Sequence, residues 1–62
     1  MHLTLNGVAH DVEVTTLREL VGPLPDGHAV AVNSEVVPRS ACETWQLVDG
    51  DIVDVVTAVA GG

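Results

Sequence analysis

Sixty-two residues allow a single domain, 1–62, and a chain this short buries only about 60% of the surface its unfolded form exposes. Nine acidic residues face two basic ones, Arg18 and Arg39, giving a net charge of −7; this excludes phosphate-tracking nucleic-acid binding and docking to an anionic membrane, and it points to partners with a basic face. The apolar content of 47% is almost entirely aliphatic and rich in valine, with Trp45 as the only aromatic residue, a composition suited to a β-sheet with an aliphatic core.

The chain opens with two alternating runs, His2 to Leu5 and Val8 to Val14, separated by Asn6-Gly7. Asn-Gly adopts the positive φ angles of a type I′ turn, so a hairpin is expected that pairs Leu5 with Val8, Leu3 with His10 and Met1 with Val12. One face of it then carries Met1, Leu3, Leu5, Val8, Val12 and Val14. Thr16-Leu17-Arg18-Glu19 reads as a capping box opening a helix whose apolar face is Leu17, Leu20 and Val21. Gly22-Pro23 stops that helix, and Leu24-Pro25-Asp26-Gly27 is loop. Val30 and Val32 alternate with Ala29 and Ala31 in a third strand. Asn33-Ser34 turns the chain into a short Val36-Val37 strand that Pro38 ends. Ser40 to Glu43 is expected to form a brief helical turn, Asp49-Gly50-Asp51 another turn, and Ile52 to Val59 the longest strand.

The element order is strand, strand, helix, strand, short strand, strand. One amphipathic helix covers only one face of such a sheet. The expected class is therefore α+β, a β-grasp arrangement with a mixed sheet, one main helix on one face, and the first and last strands adjacent and parallel in the middle.

The residues offer little catalysis. Without lysine there is no phosphate-binding loop of the Walker type. No Cys pair or His-x-x-x-His spacing suggests zinc. His2 and His10 lie close across the hairpin but point to opposite faces, and each His reads as a surface or rim residue. Cys42 has Glu43 beside it and no adjoining His or Lys, so it reads as a small buried apolar residue and not as a nucleophile. Trp45 is either a binding anchor or the anchor of a small core. Arg18 is expected to pair locally; Arg39, after Pro38 at a loop entrance, is a candidate for contacting a partner. A lone cysteine forms no internal disulfide, the N-terminal residues carry neither the basic nor the apolar part of a signal peptide, and no apolar stretch spans a bilayer, so a cytoplasmic location is expected.

The C-terminal end is different. Ala60-Gly61-Gly62 puts two residues without Cβ after the last strand. Such a tail enters a narrow channel without side-chain clashes and presents its terminal carboxylate as the most accessible reactive group. Before it, Val55-Val56-Thr57-Ala58-Val59 is apolar on both faces. In a sheet covered on one side only, Val56 and Ala58 should meet water, and with Val59 and Arg39 they are the candidate docking residues.

Val32-Asn33-Ser34-Glu35-Val36-Val37-Pro38-Arg39-Ser40, Asp49-Gly50-Asp51 and the run from Val53 to Gly62 together resemble the ThiS family of ubiquitin-like sulfur carriers of thiamine biosynthesis. The Asn6-Gly7 hairpin and the helix start at Thr16 resemble it too. Members often carry Trp two residues after the position of Ser40, where this chain has Cys42, with Trp45 further on. The resemblance implies a carrier and co-substrate that is not itself an enzyme. An E1-like, ThiF-type enzyme adenylates the carboxylate of Gly62 using ATP and magnesium. Sulfur from a cysteine desulfurase then yields a C-terminal thiocarboxylate, which a ThiG-type thiazole synthase consumes. Gly61 is the spacer, and the carrier binds no cofactor or metal of its own. The alternatives are a sulfur carrier for molybdopterin or another sulfur-containing metabolite, a ubiquitin-like protein modifier, and a binding module in which the Gly-Gly end is incidental.

Overall fold

The computed structural model describes residues 1–57. Its elements are β1 (His2–Leu5), β2 (Val8–Asp11), α1 (Leu17–Val21), β3 (His28–Val32), β4 (Glu35–Val37), a 3₁₀ turn (Arg39–Ala41) and β5 (Ile52–Thr57). They form one mixed sheet in the order β2-β1-β5-β3-β4, with β1 and β5 parallel and every other pair antiparallel. This is the β-grasp arrangement expected from the element order.

Both hairpins turn where the sequence suggests, and for the same reason. Asn6 and Gly7 have φ of 49° and 80°, and Asn33 and Ser34 have 51° and 70°. Consecutive positive φ values match the right-handed twist of the flanking strands. The first hairpin has the expected register, Leu5 opposite Val8 and Leu3 opposite His10, and Val12 N–H extends it to the Met1 carbonyl.

The helix is short but fully capped at its start. Glu19 N–H donates to Thr16 Oγ1, and Thr16 N–H donates back to Glu19 Oε1. The remaining early donors are also satisfied: Leu17 N–H by the Trp45 carbonyl, Arg18 N–H by that of Cys42 and Leu20 N–H by that of Thr16. A helix of five residues therefore leaves none of its first four N–H groups orphaned. Gly22 ends it at φ 70°, a conformation glycine adopts without strain.

The core lies between α1 and the middle of the sheet. Leu3, Val30, Val32, Val37 and Val53 meet Leu17, and Cys42 and Leu47 close the side. Cys42 is thus the small buried residue expected. Trp45 is half-buried and packs against this cluster. Val8 departs from expectation: it is exposed, as is the whole of β2. Five helical residues extend only about 7.5 Å, so α1 covers the central strands and leaves the edge strand β2 open.

Candidate functional site

The candidate site is β5 with the sheet face opposite the helix. Its geometry starts at the turn before the strand. Asp51 is buried, and its carboxylate accepts the Val48 N–H at 2.9 Å and the Asn33 side-chain N–H at 2.9 Å. The Asn33 side-chain oxygen in turn accepts the Ile52 N–H at 3.0 Å, and Asn33 N–H donates to the Ile52 carbonyl. Two residues that read as ordinary turn formers, Asn33 and Asp51, therefore lock the start of β5 to the β3–β4 turn.

The other hairpin holds the strand further along. Asn6 N–H donates to the Val53 carbonyl, and the Asn6 side-chain oxygen accepts the Val55 N–H at 2.8 Å. Asn6 and Asn33 thus each serve twice, as positive-φ turn residues and as surrogate strand partners of β5. Neither second role was legible in the sequence. The available signal was an Asn at the tip of both hairpins, since its side chain reaches neighbouring peptide groups, which Gly cannot do and Ser does more weakly.

Alternation along β5 divides its side chains. Val53 is fully buried and Val55 packs on the core, while Ile52, Asp54 and Val56 face the uncovered side. Val56 is 53% exposed and Ile52 49%. Their cross-strand neighbours on this face are small: Ala29 lies opposite Val56, and Ala31 lies between Asp54 and Val36. Val36, 68% exposed, completes an apolar surface standing above two alanines. The expectation that Val56 meets water is met.

Arg39 sits elsewhere. Its guanidinium donates to the carbonyls of Leu24 and Pro25, tying the loop after α1 to the 3₁₀ turn. With Arg18, Gly22, Pro23, Leu24 and Cys42 it lines a pocket of about 130 Å³ beside the C-terminal end of the helix. It belongs to the helix side of the domain and not to the open face that carries Val56. Arg18 makes the local pair expected of it, with Glu43 at 3.3 Å.

Glu19 closes the capping box at the start of α1. Its carboxyl is held below the usual value because the backbone N–H groups of Thr16 and then Thr15 donate to the charged form. Among the described residues no cluster of three or more His, Cys, Asp or Glu side chains is placed to hold a metal. No helix there is long and apolar enough to cross a membrane. The other candidate residues, Ala58, Val59, Gly61 and Gly62, lie outside the described residues.

Comparison with known proteins agrees with this architecture. The model of the ThiS family matches residues 3–62. Among solved structures, the chain is similar to the thiamine biosynthesis protein ThiS from Geobacter metallireducens. The identity is 29%, the TM-score is 0.83, and 100% of each chain is covered. No curated protein matches.

Proposed function

The chain belongs to the ThiS family, and from that premise we propose that it is a sulfur carrier in thiamine biosynthesis whose reacting group is the carboxylate of Gly62. A carboxylate is a poor electrophile and must be activated. In the proposed sequence an E1-like, ThiF-type partner holds ATP and magnesium. A Gly62 carboxylate oxygen attacks the α-phosphorus, the bond to pyrophosphate breaks, and an acyl-adenylate results. The outer sulfur of a persulfide, supplied by a cysteine desulfurase, attacks the acyl carbon and expels AMP. A thiol then cleaves the S–S bond and leaves a C-terminal thiocarboxylate. A ThiG-type thiazole synthase takes the sulfur. The chain is a co-substrate throughout, works in the cytoplasm, and supplies no catalytic residue.

Its own contribution is presentation. Gly61 and Gly62 carry no Cβ, so the end of the chain threads a narrow channel. The strand leading to them is held by Asn6, Asn33 and Asp51. Val56, with Ala58 and Val59, supplies apolar docking surface, and Arg39 a second contact on the helix side. The net charge of −7 favours a basic receptor and an association that weakens with salt.

The observation that carries this reading is the family match through residue 62, joined to a sheet in which the last strand lies parallel beside the first. The test is incubation with the adenylating enzyme, ATP, magnesium and a persulfide source, followed by intact mass. The carrier reading expects one oxygen to be replaced by sulfur, confined to the C-terminal peptide. Sulfur on Cys42 instead, or none, refutes it.

A further inference from the structure

β5 changes character along its length. β1 flanks its beginning through Thr4 opposite Ile52 and Leu5 opposite Val53, while β3 flanks it from Val53 to Thr57. β1 ends at Leu5 because Asn6 and Gly7 turn the chain back into β2. From Val55 onward, no strand among the described residues lies beside β5 on that side.

Strand parity identifies the groups left open. Thr4 N–H donates to the Asp51 carbonyl and Asn6 N–H to that of Val53, whereas Asn33 N–H donates to that of Ile52. Odd-numbered residues of β5 therefore aim their peptide groups toward β1, and even-numbered ones toward β3. The Asn6 side chain takes the Val55 N–H. The Val55 carbonyl and the Thr57 N–H face the open side, and among the described residues nothing pairs with them.

An open strand edge is a template for another strand, and folded proteins usually blunt it with charge, proline, a bulge or brevity. The outer edges of this sheet are blunted. β2 carries His10 and Asp11; β4 is three residues long, begins at Glu35 and runs into Pro38. Val55-Val56-Thr57 has none of these devices, and its register with β3 is unbroken. It is also the segment that leads into residues 58–62.

We propose that the adenylating partner donates an extended segment of its own chain to this edge, pairing as an added strand with the Val55 carbonyl and the Thr57 N–H. The inference rests on the carrier reading and specifies how the tail is gripped. The occupant is an extended segment with Lys or Arg, suited to a chain of net charge −7, and with an apolar side chain over the exposed Val56. A second copy of this chain fits poorly, because pairing edge to edge brings together two molecules of the same large charge. The added strand fixes the direction in which β5 delivers Gly62 to the reacting phosphate, which is the positioning an acyl transfer needs.

The test is Thr57→Pro. This removes the one N–H aimed at the open edge and no bond to β3, since the even-numbered residues make those. The fixed φ of proline, and its restriction of Val56 to extended backbone, both suit a strand. Thr57→Val, which keeps the N–H, is the control. Binding to the ThiF-type enzyme is expected to weaken about tenfold for Thr57→Pro and to stay at the wild-type value for Thr57→Val. In the wild-type protein the Thr57 amide should exchange with solvent rapidly when free and slowly in the complex. Equal binding by all three proteins, or a Thr57 amide equally exposed in the complex, overturns the proposal. Protection that appears on concentrating the carrier alone assigns the edge to a second copy and overturns it too. Wild-type sulfur gain at the C-terminus, measured separately, tells a failure of this inference from a failure of the carrier reading.

Discussion

Asp51→Ala tests the hub that anchors β5. Asp51 is 5% exposed, and its two carboxylate oxygens accept the Val48 N–H and the Asn33 side-chain N–H, both at 2.9 Å. Removing the carboxylate leaves two donors without an acceptor in a site that admits little water. Each orphaned group costs about 1–3 kcal/mol, so the loss is about 2–6 kcal/mol. A domain of this length is stable by only about 3–9 kcal/mol in total. The substitution should therefore take most of the stability, lowering the melting temperature by about 15 °C or more. Asp51→Asn keeps the shape but must turn an N–H₂ toward one of the two donors, so an intermediate loss is expected. Asp49→Ala is the internal control. Asp49 lies in the same turn but is exposed, with one bond, from His2 N–H, and should cost no more than about 1 kcal/mol. Circular dichroism during thermal and urea unfolding measures all three. If Asp51→Ala and Asp49→Ala unfold together, the argument from burial and paired acceptors is wrong.

Two further outcomes are expected. Val56→Asp should change stability by no more than about 0.5 kcal/mol, because Val56 stands on the open face, yet weaken binding to the adenylating partner; melting together with a pull-down separates the two, and severe unfolding would contradict the open-face geometry. Glu19 has its carboxyl held below the ordinary 4.5 by the N–H groups of Thr16 and Thr15. Its contribution to stability is complete above that ordinary value and is lost as pH falls through the lower folded-state one. Glu19→Gln should therefore show a shallower acid decline in melting temperature than the wild type, and parallel declines would refute the link.

Much of the fold was legible because local signals and global arrangement agree. Asn6-Gly7 specifies its turn and register alone, and Thr16 with Glu19 announces the helix start. The valine and alanine alternation of β3 separates a covered face from an open one. The parallel placement of β5 beside β1 follows from having a single helix to cover a sheet of this order. Val8 was misplaced because alternation reports which face a side chain shares and not how far the helix extends over it. Asn6, Asn33 and Asp51 read as turn residues because their long-range bonds join positions 18 to 49 residues apart, which no local pattern encodes. Arg39 was read as a candidate partner contact; its bonds to the Leu24 and Pro25 carbonyls depend on where the loop after α1 returns, which no local pattern gives. Of the candidate site, exposure at Val56 was predictable from alternation in a sheet covered on one side. The proposed reacting end was legible as chemistry, two residues without Cβ bearing a carboxylate, and as family resemblance.

The most direct measurement of the central claim compares the wild type with a chain lacking Gly62, each incubated with the adenylating enzyme, ATP, magnesium and a persulfide source and read by intact mass. Adenylation needs the carboxylate oxygen within roughly 3–3.5 Å of the phosphorus in its near-attack arrangement, and removing one extended residue withdraws it by about 3.3–3.6 Å. Gly62→Ala keeps the reach and adds only a Cβ, so it should slow conversion without abolishing it. The account predicts that the wild type exchanges one oxygen for sulfur in its C-terminal peptide, while the shortened chain melts like the wild type and gains no sulfur. Conversion of the shortened chain at the wild-type rate would contradict it.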